Sequence, residues 1–357
     1  MSDATKNAAE ADLGEVREAH RFDVKRLEEY ARGAVKGFSG TLEVQQFSGG
    51  QSNPTYLLTE TQAGGIKRYV LRKKPPGVLL ASAHQVDREY RVMKALETTD
   101  VPVPHMYALC EDDSVIGTAF YIMEYLEGRV FSDSTLPECS ESERRALYSN
   151  MAETLAKLHA VDYEAVGLGE FGRPGNYFER QIGRWIKQYR GAQTTDVPSM
   201  EALIEYLPAH IPSEPSVTIA HGDYRIGNVM FHPTEPRIIA VLDWELCTIG
   251  HPLADVAYNC MYDFLGVAGA ATEVDRDKTP GIPTDAEFAA EYCRFAGRDS
   301  IEDWNFYLAF SMFRLASISQ GVYKRGLDGN ASSERAMTLG DACAKLANAA
   351  WAIVQRP

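Results

Sequence analysis

The residues best equipped for chemistry lie between Thr218 and Glu245, in the run TIAHGDYRIGNVMFHPTEPRIIAVLDWE. His221, Asp223 and Asn228 stand at the spacing H-x-D-x-x-x-x-N, and Asp243 follows the apolar run Ile238–Leu242. A carboxylate left free of metal can accept the proton of an incoming hydroxyl. An Asn carbonyl and a second carboxylate supply the hard oxygens that Mg²⁺ takes. Phosphoryl transfer needs both, because the moving group spreads negative charge over its oxygens and that charge must be neutralised. The elements that would position these groups are short. Val229–Phe231 and Ile238–Leu242 read as two strands joined by the turn His232–Pro236, a hairpin that returns Asp243 to the side of Asn228. The plain alternative is a polar turn between two core strands.

HGDYRIGNVMF, followed by VLDWE and GHPLADVA, resembles the aminoglycoside phosphotransferase family of protein-kinase-like folds. The resemblance implies an α+β, two-lobed fold with a small, five-stranded antiparallel N-lobe and a mostly helical C-lobe. It also implies ATP and Mg²⁺ as cofactors. Asp223 would be the base or hydroxyl-positioning group, and Asn228 and Asp243 the metal ligands. Arg225 would stabilise charge on the transferred group. Asp255 would tie down the catalytic-loop backbone; a simple helix N-cap is the blander reading, and the two roles can coexist. His221 is expected to pack behind the loop. The domain expectation is a mobile tail over residues 1–20, a nucleotide-binding lobe over 21–125 and a helical substrate lobe over 126–357.

Upstream, Asp23 is placed to cap a helix through Val24, Leu27, Ala31 and Val35. Thr41–Phe47 alternates as a strand, and Tyr56–Thr59 is a second strand. Between them Ser48, Gly49, Gly50, Ser52 and Asn53 could cover ATP phosphates with backbone N–H groups, though an ordinary hairpin turn fits as well. The strand Arg68–Lys74 places Arg72 where kinases keep a phosphate-holding cation, with Lys73 on the opposite face. A solvated basic edge strand is the blander reading. Ser82–Thr98 reads as a helix whose Glu89 resembles the partner of that cation; a surface Glu is the alternative. Ala119–Tyr125 is an apolar strand, and the resemblance puts adenine against the backbone near Glu124, Tyr125 and Leu126.

Further on, Ser140–Ala160 is helical, with a capping-box spacing to Glu143. The run FGRPGNYFERQIGRWIKQY carries Arg180 and Arg184 one helical turn apart, with Trp185. They could clamp an anionic substrate, and solvated cations on an amphipathic lid fit the spacing equally. Pro208 is expected to end a helix begun near Ala202. Arg314 lies on a long apolar helix, Trp304–Gly321. The wording around these residues resembles the subgroup linked to acyl-CoA dehydrogenases, which implies a hydroxyacyl-CoA as acceptor and a functional link to such a dehydrogenase. An aminoglycoside or other antibiotic acceptor, a catalytically silent nucleotide-binding scaffold and a metal-dependent phosphohydrolase are the competing readings.

The 357 residues are 45% hydrophobic and 24% charged, so two packed units are within reach. The net charge of −14 argues against a nucleic-acid partner, since phosphate backbones call for a basic face. No apolar run is long enough to span a membrane. Six cysteines without a C-x-x-C pair give no zinc signature and suit a cytoplasmic setting.

Overall fold

The computed structural model describes residues 13–47, 53–75, 85–261, 276–329 and 334–356. The chain divides into two compact units, Met1–Val130 with Asn228–Cys247, and Phe131–Gly227 with Thr248–Pro357.

The first unit is built on an antiparallel sheet of six strands: β1 (Leu13–Gly14), β2 (Thr41–Phe47), β3 (Thr55–Gln62), β4 (Gly65–Lys73), β5 (Met106–Cys110) and β6 (Phe120–Glu124). Their order is β1-β2-β3-β4-β6-β5. Helix α1 (Val24–Ala34) starts at Asp23, whose carboxylate accepts from the Lys25 and Arg26 amides. Its Leu27 and Ala31 pack with Tyr56, Leu58, Tyr69, Leu71, Phe120 and Ile122 into one core. These are alternate residues of their strands, so period-two patterning sends them to a common face. Helix α2 (Val86–Leu96) packs against β5 and β6, and the short helix α3 (Asp113–Ile116) joins those strands. Register sets Arg72 of β4 directly across from Tyr121 of β6.

The predicted hairpin is present as β8 (Val229–Phe231) and β9 (Ile238–Val241), with Val229 opposite Val241. It belongs to the first unit by contact. Arg129 and Phe231 exchange backbone hydrogen bonds, and the Val241 amide donates to Pro102 O. Gly128 makes the close approach possible, since a Cβ there would lie 2.6 Å from Phe231 O.

The second unit is helical: α4 (Glu141–His159), α5 (Tyr177–Ala192), α6 (Pro198–Ala209), α7 (Pro252–Cys260), α8 (Asp285–Ala296), α9 (Trp304–Leu327) and α10 (Ala342–Val354). A two-stranded ribbon of β7 (Thr218–Ala220) and β10 (Thr248–Gly250) brackets the loop that carries Asp223. Phe178 of α5 sits edge-on to Phe306 and Phe310 of α9, giving the unit an aromatic centre.

Several expectations need correction. The first sheet has a sixth strand, Leu13–Gly14, paired with β2, and a 3₁₀ turn follows at Glu18–His20, so residues 13–20 are ordered against the sheet. The contiguous substrate lobe expected over 126–357 is interrupted, because Asn228–Cys247 groups with the first unit. Helix α6 begins at Pro198 and continues through Pro208, whose place in the last turn costs little structure. Helix α2 begins at Val86; residues 82–84 lie outside the described residues. Helix α7 is capped by His251, not Asp255: Pro252 takes the first helical position, which moves the cap one residue before it.

Candidate active site

The first unit holds one set of the predicted residues. Arg72 Nε lies 3.0 Å from Glu89 Oε2, and Arg72 Nη2 lies 2.9 Å from Asp243 Oδ1. Strand β4, helix α2 and the end of β9 thus meet at one guanidinium. The Nε contact is an ion pair by distance but lies off the line of a hydrogen bond. Glu89 is 1% exposed, so the surface reading of this residue is excluded. Its other bonds come from Asn53 Nδ2 at 2.6 Å and Tyr121 Oη at 3.0 Å. Burial pushes Glu89 upward in pKa, opposed by Arg72; Asp243 adds to the rise and the Tyr121 hydrogen bond opposes it. The two carboxylates hold Arg72 protonated against its own burial. Lys73 points to the other face of β4, where its ammonium lies over the Tyr56 ring at 5.9 Å. The choice of Arg72 over Lys73 follows from that alternation.

Asp243 adopts φ +64°, a left-handed conformation that a short polar side chain tolerates better than most. The hairpin brings its neighbour to Asn228, because the Leu242 amide donates to Asn228 O at 2.8 Å. Asn228 is 5% exposed. The Asn228 carboxamide and the Asp243 carboxylate, one of whose oxygens already meets a guanidinium, are hard oxygen donors of the kind Mg²⁺ takes. That ion accepts few protein ligands when nucleotide phosphates and water complete its shell. Among the described residues no group of three or more His, Cys, Asp or Glu forms a fuller metal cage.

Of the expected nucleotide contacts, Ser48, Gly49, Gly50 and Ser52 lie outside the described residues. Asn53 is described, and its side-chain amide donates to Glu89. Glu124 uses its amide on His105 O and its carboxylate on the His105 amide. Tyr125 lies under the Arg68 guanidinium, and Leu126 is half-buried just beyond β6.

The second unit holds the other set. Asp255 of α7 is fully buried and accepts the His221 amide at 2.6 Å and the Gly222 amide at 2.8 Å. His159 Nε2 reaches the same carboxylate at 3.4 Å, and His159 Nδ1 meets the Tyr292 hydroxyl at 2.9 Å. Burial would raise the Asp255 pKa, but the His159 hydrogen bond, the charges of His159 and His221 and the Gly222 amide outweigh it and keep the group below its usual range. His221, 0% exposed, accepts the Asp223 amide through Nδ1 at 3.2 Å. Tyr224, wholly buried, donates to Met151 O on α4 at 2.9 Å. Gly222 has φ +83°, which a β-carbon would strain. Asp223 is therefore mounted on a backbone fixed on both sides. Arg225 Nε lies 3.5 Å from Asp223 Oδ2.

Of the four residues expected against the substrate, Arg184 and Arg314 both lie over the Trp185 ring, while Arg180 turns away. Arg184 is exposed and lies over the Trp185 ring at 5.4 Å. Arg180 turns back to the carbonyls of Arg173 and Gly175. Trp185 is buried. Arg314 is 7% exposed and donates from Nη2 to Gly222 O at 2.7 Å. Sequence reasoning missed Tyr121 and Tyr224, whose roles depend on partners far along the chain and leave no local pattern.

A six-stranded antiparallel unit, a helical unit and an H-x-D-x-x-x-x-N loop pinned by a buried Asp define a protein-kinase-like phosphotransferase fold. The chain belongs to the phosphotransferase enzyme family, whose model matches residues 43–305. It is 46% identical over 340 residues to mouse "Acyl-CoA dehydrogenase family member 10", covering 94% of this chain and 31% of that protein. The chain spans less than half the length of the curated relatives it matches first. A solved structure from Ralstonia eutropha JMP134, described as a "putative aminoglycoside phosphotransferase", is 49% identical, with a TM-score of 0.84 over 94% of this chain and 99% of that one. A thermostable mutant of aminoglycoside phosphotransferase APH(4)-Ia, solved with AMP-PNP and hygromycin B, shares the fold at 17% identity. Its TM-score is 0.60 over 93% of this chain and 99% of that one.

Proposed function

We propose that this protein transfers the γ-phosphoryl group of ATP, with Mg²⁺, to a hydroxyl of a small molecule, and that the acceptor is a hydroxyacyl-CoA. The observation that carries the reading is the Arg72 guanidinium set between Glu89 at 3.0 Å and Asp243 at 2.9 Å. A cation anchored this way is fixed in direction and can orient nucleotide phosphates without reorganising. Asn228 and Asp243 would hold Mg²⁺, which when bound neutralises charge on the phosphate oxygens. Asp223 accepts the hydroxyl proton or orients the hydroxyl for attack. Arg225 shares the charge near Asp223. The ATP assignment is supported by the nucleotide analogue in the APH(4)-Ia structure. The acyl-CoA assignment is supported by the name of the mouse relative and implies a functional link to an acyl-CoA dehydrogenase. Arg184, exposed on α5, is a cation available to the phosphates of such an acceptor.

The test is a panel of hydroxyacyl-CoAs and aminoglycosides incubated with Mg²⁺ and ATP, with phosphate transfer followed by ³¹P NMR. Transfer to a hydroxyacyl-CoA is expected. Replacing Asp223 by Ala should lower turnover by about 10²–10⁴-fold while nucleotide binding persists. Transfer to aminoglycosides alone would overturn the acceptor assignment, and full turnover in the Ala variant would overturn the role of Asp223.

A further inference from the structure

The Gly222 peptide is gripped from both ends. Its amide donates to Asp255 Oδ1 at 2.8 Å, and its carbonyl accepts from Arg314 Nη2 at 2.7 Å. The two gripping residues come from different helices, α7 and α9, and Arg314 lies 92 positions along the chain from its acceptor. Gly222 sits at φ +83°, so the plane of the peptide between Gly222 and Asp223 is set by a conformation that few residues hold unaided. That peptide unit carries the Asp223 amide, which donates to His221 Nδ1 at 3.2 Å. Rotation of the unit would break both that bond and the bond to Arg314.

Arg314 itself has little freedom. Its guanidinium carbon lies 4.9 Å from the Tyr258 ring centroid and 5.7 Å from that of Trp185. Two aromatic faces and a surrounding helix hold the planar group in one orientation, which a flexible ammonium would not reproduce. At 7% exposure it is poorly placed to meet a substrate from solvent.

We propose that Arg314 is a positioning residue for Asp223: clamped between Trp185 and Tyr258, its guanidinium fixes the Gly222 carbonyl and thereby the direction in which the Asp223 side chain leaves the loop. This inference rests on the phosphotransferase reading only for its consequence on turnover, since the loop geometry stands apart from any activity.

The experiment uses the full chain and three variants, Arg314→Lys, Arg314→Gln and Arg314→Met. Hydrogen exchange followed by mass spectrometry reports the amides of residues 221–224. In Arg314→Gln and Arg314→Met these should exchange about tenfold faster, with α7 and β8 unchanged, and Arg314→Lys should recover part of the protection. ADP formation from Mg-ATP with water as acceptor should fall at least about tenfold per folded molecule, with affinity for AMP-PNP unchanged. Unaltered exchange at 221–224, or loosening spread evenly through the second unit, would overturn the positioning role. Loss of AMP-PNP affinity in step with activity would overturn it as well. An absence of ADP formation in the unsubstituted protein would count against the proposed function and leave the exchange result to decide the role of Arg314.

Discussion

Arg72 and Asp243 stand 171 positions apart in the chain, yet their side chains meet at 2.9 Å. The same guanidinium reaches Glu89, which is 1% exposed and has no access to water as an alternative partner. Removing Arg72 would leave a buried carboxylate uncompensated. Arg72→Met should therefore destabilise the protein by about 3–5 kcal/mol, whereas removing both charges in Arg72→Met with Glu89→Leu should recover most of that loss. Urea unfolding of the single and double variants measures both values. Equal stability of the single variant and the unsubstituted protein would show that the pair carries no structural energy.

Asp243 divides its carboxylate between Arg72 and the proposed Mg²⁺. Asp243→Asn keeps a side chain that tolerates the left-handed φ of +64°, so the fold should survive. It removes the charge that would attract the metal. The Mg²⁺ concentration giving half-maximal turnover should rise about tenfold or more. A titration of ADP formation against Mg²⁺ checks this, and an unchanged midpoint would remove Asp243 from the metal site.

The fold was largely legible because its signals are local. Alternation in Thr41–Phe47 gives β2 residue for residue, and Asp23 caps the helix it was expected to cap. The hairpin that returns Asp243 toward Asn228 follows from two apolar runs and a Pro-rich turn. What escaped depends on partners distant in sequence. The bond from the Asn53 side chain to Glu89 at 2.6 Å is one case. The bond from Arg314 to the Gly222 carbonyl is another. Nothing within a few residues of either position encodes those contacts. Strand β1 was missed for another reason: two residues, Leu13 and Gly14, are too few to show any period.

Gly128 tests the seam between the sheet of the first unit and its hairpin. A Cβ at this position would lie 2.4 Å from Met230 Cγ and 2.6 Å from Phe231 O. Met230 can move, but the Phe231 carbonyl is committed to the Arg129 amide at 2.8 Å. Gly128→Ala should therefore cost about 1–3 kcal/mol through backbone displacement. The comparison is with Gly64→Ala, where a Cβ meets nothing within 4 Å. If both variants melt together with the unsubstituted protein, the close approach carries no strain.

His251 gives the stability of the second unit a dependence on pH. Its ring is 4% exposed, and Nδ1 caps α7 by accepting the Leu253 amide at 3.3 Å. Burial lowers its pKa from 6.5 to about 4, with Glu214 opposing the shift. Below pH 6.5 the unfolded chain binds a proton at this histidine, while the folded chain stays neutral until about pH 4. Stability owed to the neutral ring is thus present above pH 6.5 and is lost as the pH falls toward 4. His251→Asn retains a side chain able to cap the helix but cannot titrate. Urea unfolding across this range should show a shallower loss of stability on acidification for the Asn variant than for the unsubstituted protein. Parallel curves would mean that His251 titrates alike in the folded and unfolded chains.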